Sequence, residues 1–205
     1  MPDVRIEGGL TAEQARLLGE AAQLARSFRG AKGMALFNGW TSAILAAMSL
    51  AWAALSLLFG SISVASFLAA AVLGVVAFNE LNGAAGIARL QPGALDRLMW
   101  NQVGFLAVIT AYCIWGMVES WTTPISAETR DALAQLSELM MIDEAEAERL
   151  ARGLGLAVYG LVLGLSVLFV GGCAVYYRRR SRRLRDYLAQ TPEWIVTLQR
   201  SGWSG

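Results

Sequence analysis

The 205-residue chain contains no histidine. That removes the commonest general base near neutral pH, the commonest transition-metal ligand and the usual haem ligand. Cysteine is nearly absent as well: Cys113 and Cys173 stand alone, each inside an apolar run. On the span assignment below they lie about 18 Å and about 6 Å from the inner face, at about 1.5 Å of rise per residue. A disulfide needs Cα atoms within roughly 7 Å, so the two read as small buried apolar residues. Charge is scarce, at 16% Asp, Glu, Lys and Arg against about 25% in soluble domains. No phosphate loop, GxSxG, paired CxxC or HExxH motif occurs. An intramembrane serine protease needs a Lys or His partner in a span, and the spans hold neither. The reading is therefore no enzyme, no cofactor and no metal site. The N-terminal region lacks a continuous apolar core, so nothing there reads as a cleavable signal, and the first span directs insertion.

What is present is apolar: 56% hydrophobic residues and a mean hydropathy of +0.47, with the charges gathered in tails and loops. This patterning predicts an all-α, polytopic integral membrane protein. Four transmembrane helices are expected at about 35–59, 62–80, 100–120 and 153–177, each near the roughly 20 residues that cross a bilayer. Residues 1–34 form a cytoplasmic tail with an amphipathic helix that Thr11 and Gln14 cap and that ends near Gly30. Its Leu17, Ala21, Leu24 and Phe28 share a face. Residues 121–152 form an acidic outer loop, with a short helix carrying Leu133, Leu136 and Met140 and a capping box at Asp143 and Glu146. Residues 178–205 form a basic cytoplasmic tail. Thr191-Pro192-Glu193 starts a helix there, with Thr as cap and Pro in the first turn. Trp194, Ile195 and Leu198 give that helix the composition of one lying in the membrane interface.

Lys and Arg set the orientation. Arg26, Arg29 and Lys32 precede span 1, Arg89 and Arg97 lie between spans 2 and 3, and Arg178, Arg179, Arg180, Arg182, Arg183 and Arg185 follow span 4. The span 1–2 turn has none, and the 3–4 loop is dominated by acids. Both termini are therefore expected in the cytoplasm of a bacterial-type inner membrane.

Three groups of residues stand out. The first is a set of small-residue stripes. Ala35, Gly39, Ser42, Ala46, Ser49, Ala53, Ser56 and Gly60 follow alternating steps of four and three, which makes a groove for close helix approach. Ser63, Ser66, Ala70, Gly74 and Ala77 repeat it on span 2, and Gly153, Ala157, Gly160, Gly164, Gly171 and Ala174 on span 4, with Val167 interrupting. Three such faces suggest one partner inside the chain and one outside it, either a second copy or another membrane protein. The second group is polar. Asn38, Asn79, Glu80, Asn82, Asn101 and Gln102 fall at a similar depth near the cytoplasmic face, and a carboxylate beside an apolar span is a candidate ion or proton site. The competing reading is helix-end chemistry, with Glu80 pairing Arg178 or Arg179. The third is the arginine block with Trp194. It is topogenic in one reading and a contact for anionic lipid headgroups in the other, each Arg contributing about 1 kcal/mol near such a surface. Nucleic acid is not an expected partner so close to a bilayer.

Two functions follow. The first is a non-catalytic membrane-complex subunit or scaffold assembling through its small-residue faces. The alternative is a small homo-oligomeric ion channel or transporter with Glu80 and its amide neighbours at the cytoplasmic mouth.

Overall fold

The computed structural model describes residues 12–60, 64–124, 134 and 143–201. The short outer helix at 133–140, Ser63, the Thr11 cap, the Leu24 side chain and Trp203 lie outside the described residues. The described chain is all-α: α1 (Ala12–Leu58), α2 (Val64–Ala88), α3 (Ala94–Thr122), α4 (Glu144–Ser166), a π-helical turn (Val167–Gly171), α5 (Gly172–Gln190) and α6 (Glu193–Arg200). The segments Arg16–Leu58, Val64–Ala88, Ala94–Thr122 and Ala145–Gln190 are each long and apolar enough to cross a membrane. They carry large apolar side chains outward: Leu58 is 82% exposed, and Trp40, Trp52, Trp115, Leu161 and Phe169 are exposed too. A soluble protein of this size rarely leaves so much contiguous apolar surface open.

Several boundaries differ from the sequence expectation, each for a local reason. The amphipathic segment does not end near Gly30. It continues through Gly30 and Gly33 into span 1 as one 47-residue helix, because a lone glycine costs a helix only about 1 kcal/mol. The Gly-Ala-Ala-Gly stretch at 83–86 is helical, and the α2–α3 connection is confined to residues 89–93. The α2 helix stops at a Schellman turn: Gln91 N–H donates to Gly86 O at 2.9 Å and Leu90 N–H to Ile87 O at 3.0 Å. Leu90 occupies the left-handed position (φ 49°) that glycine usually fills and is nonetheless buried. Its side chain is what holds it there.

Two expected caps are corrected. Asp143 caps α4 with its carbonyl, which accepts from Glu146 and Ala147 N–H at 3.0 and 2.9 Å, but its side chain makes no capping bond. Pro192, not Thr191, is the cap of α6. The π-helical turn begins at Val167, the residue that interrupts the span 4 rhythm. The extra residue per turn shifts which side chains share a face.

The described chain divides into two compact units, residues 1–101 with 174–205 and residues 102–173. In the first, the buried core gathers Phe28 and Ala31 of α1, Ile87 of α2, Leu95 and Leu98 of α3, Tyr177, Leu184 and Tyr187 of α5 and Ile195 of α6. The Phe28 and Tyr187 rings meet at 6.0 Å between centroids. Tyr187 donates its hydroxyl to Gln199 Oε1 at 2.6 Å, and Ser181 donates to Asp96 Oδ1 at 2.6 Å. The N-terminal part of α1 and the C-terminal α6 thus bury their apolar faces within the protein. Ile195 and Val196 of α6 are buried, while Trp194 is 43% exposed.

In the second unit, α3 and α4 meet where Tyr159 lies over Gly116: a Cβ on Gly116 would stand 2.5 Å from the ring's Cε1. Ser120 fits against Gly155 in the same way. Of the span 4 stripe, Gly160 and Gly164 are exposed; a Cβ at Gly160 would lie 3.8 Å from Met117 Cε of α3, and among the described residues nothing lies within 4 Å of a Cβ at Gly164.

Candidate functional site

Glu80 sits near the C-terminal end of α2 and is 0% exposed. It is buried because α1 comes close at this level. Gly39 of the span 1 stripe faces it, and a Cβ there would lie 3.3 Å from Glu80 Cβ and 2.9 Å from Leu81 Cγ. A side chain at position 39 would require Leu81 or Glu80 to shift. The other stripe residues of α1 follow suit: Ala35, Ser42 and Ala53 are buried, and Ala46, Ser49 and Ser56 are half-buried, while their neighbours are mostly exposed. Ser56 spends its hydroxyl on Trp52 O at 2.9 Å.

The carboxylate is held from two other helices. Tyr177 of α5 donates its hydroxyl to Glu80 Oε2 at 2.9 Å. Asn101 of α3 donates Nδ2 to Glu80 Oε1 at 3.2 Å and, with the same amide, to Val76 O at 3.3 Å. Asn79 Nδ2 in turn donates to Asn101 Oδ1 at 2.9 Å. Burying a charge or an unpaired polar group costs several kcal/mol. A network in which each carboxylate oxygen has a donor is how such a group is tolerated.

The structure therefore brings together Glu80, Asn79 and Asn101 from the sequence-predicted cluster. Asn38 is half-buried beside Gly39 in the chain, and Gln102 is buried next to Asn101 along α3. Asn82 is exposed. Tyr177 is the member that sequence reasoning missed. Its signal is its position: it directly precedes Arg178 and Arg179, the two residues considered as partners for Glu80. Those arginines are exposed, and the phenol next to them is what turns inward. A helix buried on one face turns residues 174, 177, 181, 184 and 187 inward, at the spacing of three and four that defines a face.

The same spacing puts Arg178, Arg179, Arg182, Arg183 and Arg185 on exposed positions. Arg180 is half-buried, its guanidinium 5.4 Å from the centre of the Tyr176 ring. Two ion pairs seen among the described residues, Arg16–Glu20 and Arg152–Glu148, do not involve this exposed row of arginines. Among the described residues no group of three or more His, Cys, Asp or Glu is placed to hold a metal ion. Cys113 and Cys173 are not joined in a disulfide. No family model, no curated protein and no solved structure matches this chain.

Proposed function

We propose that the protein is a small oligomeric membrane channel or transporter, with Glu80 as its ion site at the cytoplasmic mouth. The observation that carries this reading is a fully buried carboxylate held by uncharged donors from two helices. An apolar side chain of similar size packs a helix junction without the cost of desolvating a charge, so packing alone gives no reason for Glu80. An ionisable residue at the edge of an apolar span is by default a functional group. The Lys and Arg distribution supports placing both termini in the cytoplasm of a bacterial-type inner membrane. The outward row of arginines supports contact with anionic lipid headgroups. The reading involves no catalysis, cofactor or nucleic acid.

A scaffold or complex-subunit role is the second reading. It is favoured by one observation, the exposed small-residue face at Gly153, Ala157, Gly160 and Gly164, which suits another helix. The same face serves an oligomeric channel. The discriminating experiment is ion flux in vesicles reconstituted with the purified protein. Flux that Glu80→Gln abolishes supports the channel or transporter. No flux under any applied gradient, together with a stoichiometric partner in a pull-down, supports the subunit.

A further inference from the structure

The hydrogen bonds around Glu80 bear on which ion it takes, an inference that rests on the channel or transporter reading. A metal cation is held by several oxygen lone pairs converging on one point. Around Glu80 the polarity runs the other way. Tyr177 directs its O–H at one carboxylate oxygen and Asn101 directs its N–H at the other. The Asn101 amide is fixed in this sense, because the same nitrogen also meets the Val76 carbonyl and its oxygen receives Asn79. Turning it over sets oxygen against oxygen at both Glu80 and Val76. On α1, Gly39 lies against Glu80, with the polar Asn38 beside it in the chain. A titratable group bonded to Glu80 is Tyr177 of α5. The facing amide from α3 is neutral, and the nearby α5 arginines Arg178 and Arg179 are exposed.

We infer that Glu80 is a proton-binding site, and that the Tyr177 hydroxyl reverses its role when the proton arrives. The phenolic oxygen both donates and accepts, whereas the ionised carboxylate only accepts. A proton delivered by hydronium forms an O–H bond at Glu80 Oε2 and leaves water behind. The neutral carboxyl group then donates to Tyr177 Oη, whose own hydrogen turns away, while Asn101 keeps its bond to Oε1. Release runs the same steps backward, with water as the acceptor. Both protonation states are satisfied by a hydroxyl rotation, with no helix displaced. A metal ion needs a coordination shell that these donors do not provide. Full enclosure is also easier to reconcile with a proton, which needs only a brief opening to water, than with a hydrated cation.

The test uses the full-length protein in phosphatidylcholine–phosphatidylglycerol vesicles, with two readouts. The first is infrared difference spectroscopy between about pH 4 and about pH 9, a range that brackets carboxyl titration in proteins. A protonated-carboxyl component over that of the surface acids is expected to grow on acidification, to be isolated as the difference between the parent and Glu80→Gln spectra, and to move in frequency and midpoint in Tyr177→Phe. The second is proton flux, followed by an internal pH dye, against potassium and sodium flux in the same vesicles. Proton flux is expected, and Glu80→Gln lowers it at least tenfold. A spectrum unchanged by Glu80→Gln overturns the proton site. Potassium or sodium flux that depends on Glu80 but not on pH also overturns it, and leaves the channel reading standing. A titrating Glu80 band with no flux of any ion overturns the channel reading and leaves the proton site. Should Glu80→Gln not fold, the Tyr177→Phe spectrum decides: an unmoved band refutes the role reversal.

Discussion

Replacing Gly83 with alanine places a methyl group inside the packed end of α2. Its Cβ falls 2.5 Å from Leu98 Cγ and 2.9 Å from Cδ1, against about 3.5–4.0 Å for an ordinary carbon–carbon contact. Leu98 is fully buried, so it cannot swing into open space. Overpacking of this kind costs about 1–3 kcal/mol. Alanine also gains about 0.8–1 kcal/mol over glycine in a helix interior, which masks part of the clash. Gly74 supplies the control. It lies in the same helix, and nothing stands within 4 Å of a Cβ there. Gly74→Ala should therefore show the propensity gain alone, and Gly83→Ala should be less stable than Gly74→Ala by about 1–3 kcal/mol. Leu98→Ala made in the Gly83→Ala background should recover part of the loss, with a coupling of about 1–3 kcal/mol. Unfolding by denaturing detergent in mixed micelles measures the parent, Gly74→Ala, Gly83→Ala, Leu98→Ala and the double variant. Equal stability of Gly83→Ala and Gly74→Ala would refute the close approach of α2 and α3 at Leu98.

Further predictions concern other parts of the same unit. Leu90→Gly relieves about 1–2 kcal/mol of left-handed strain but gives up a buried leucine worth about 1.5–3 kcal/mol, so a small net loss is expected in the same unfolding assay, and a gain would mean the side chain is not what holds the turn. Phe28→Ala should cost about 3–5 kcal/mol although it lies in the N-terminal segment; a cost below about 1 kcal/mol would mean that α1 is not anchored there. Replacing Arg178, Arg179, Arg182, Arg183 and Arg185 together with glutamine should remove the thermal stabilisation that anionic over zwitterionic lipid confers, and a stabilisation equal to the parent's counts against a headgroup contact.

Much of the fold was legible in the sequence because bilayer-length apolar runs are a strong, one-dimensional signal. The four long apolar helices follow directly from it. What the sequence concealed lies where helices leave those runs. Gly30 and Gly33 look like a stop but sit inside one helix, because the buried face formed by Leu18, Ala21, Phe28 and Ala31 continues across them. Gly83 and Gly86 look like a flexible connector, but they admit Leu98 and Ala94. Composition does not tell a glycine used for freedom from one used for closeness. The site divides in the same way. Glu80 and its amides were visible as polar residues at one depth. Tyr177 was not, since a tyrosine at a span end carries the same signature whether it faces lipid headgroups or turns inward. The side it faces depends on α5 continuing as a helix to Gln190, which a run of arginines disguises as tail.

Glu80 as an ion site is tested by gradient-driven flux through reconstituted vesicles of the parent protein and Glu80→Gln, prepared side by side at matched incorporation. Flux in the parent and its loss in the variant are expected, with unfolding stability kept within about 1–2 kcal/mol because glutamine preserves the shape and can still bond to Tyr177 and Asn101. Equal flux in the two folded proteins would contradict the ion site.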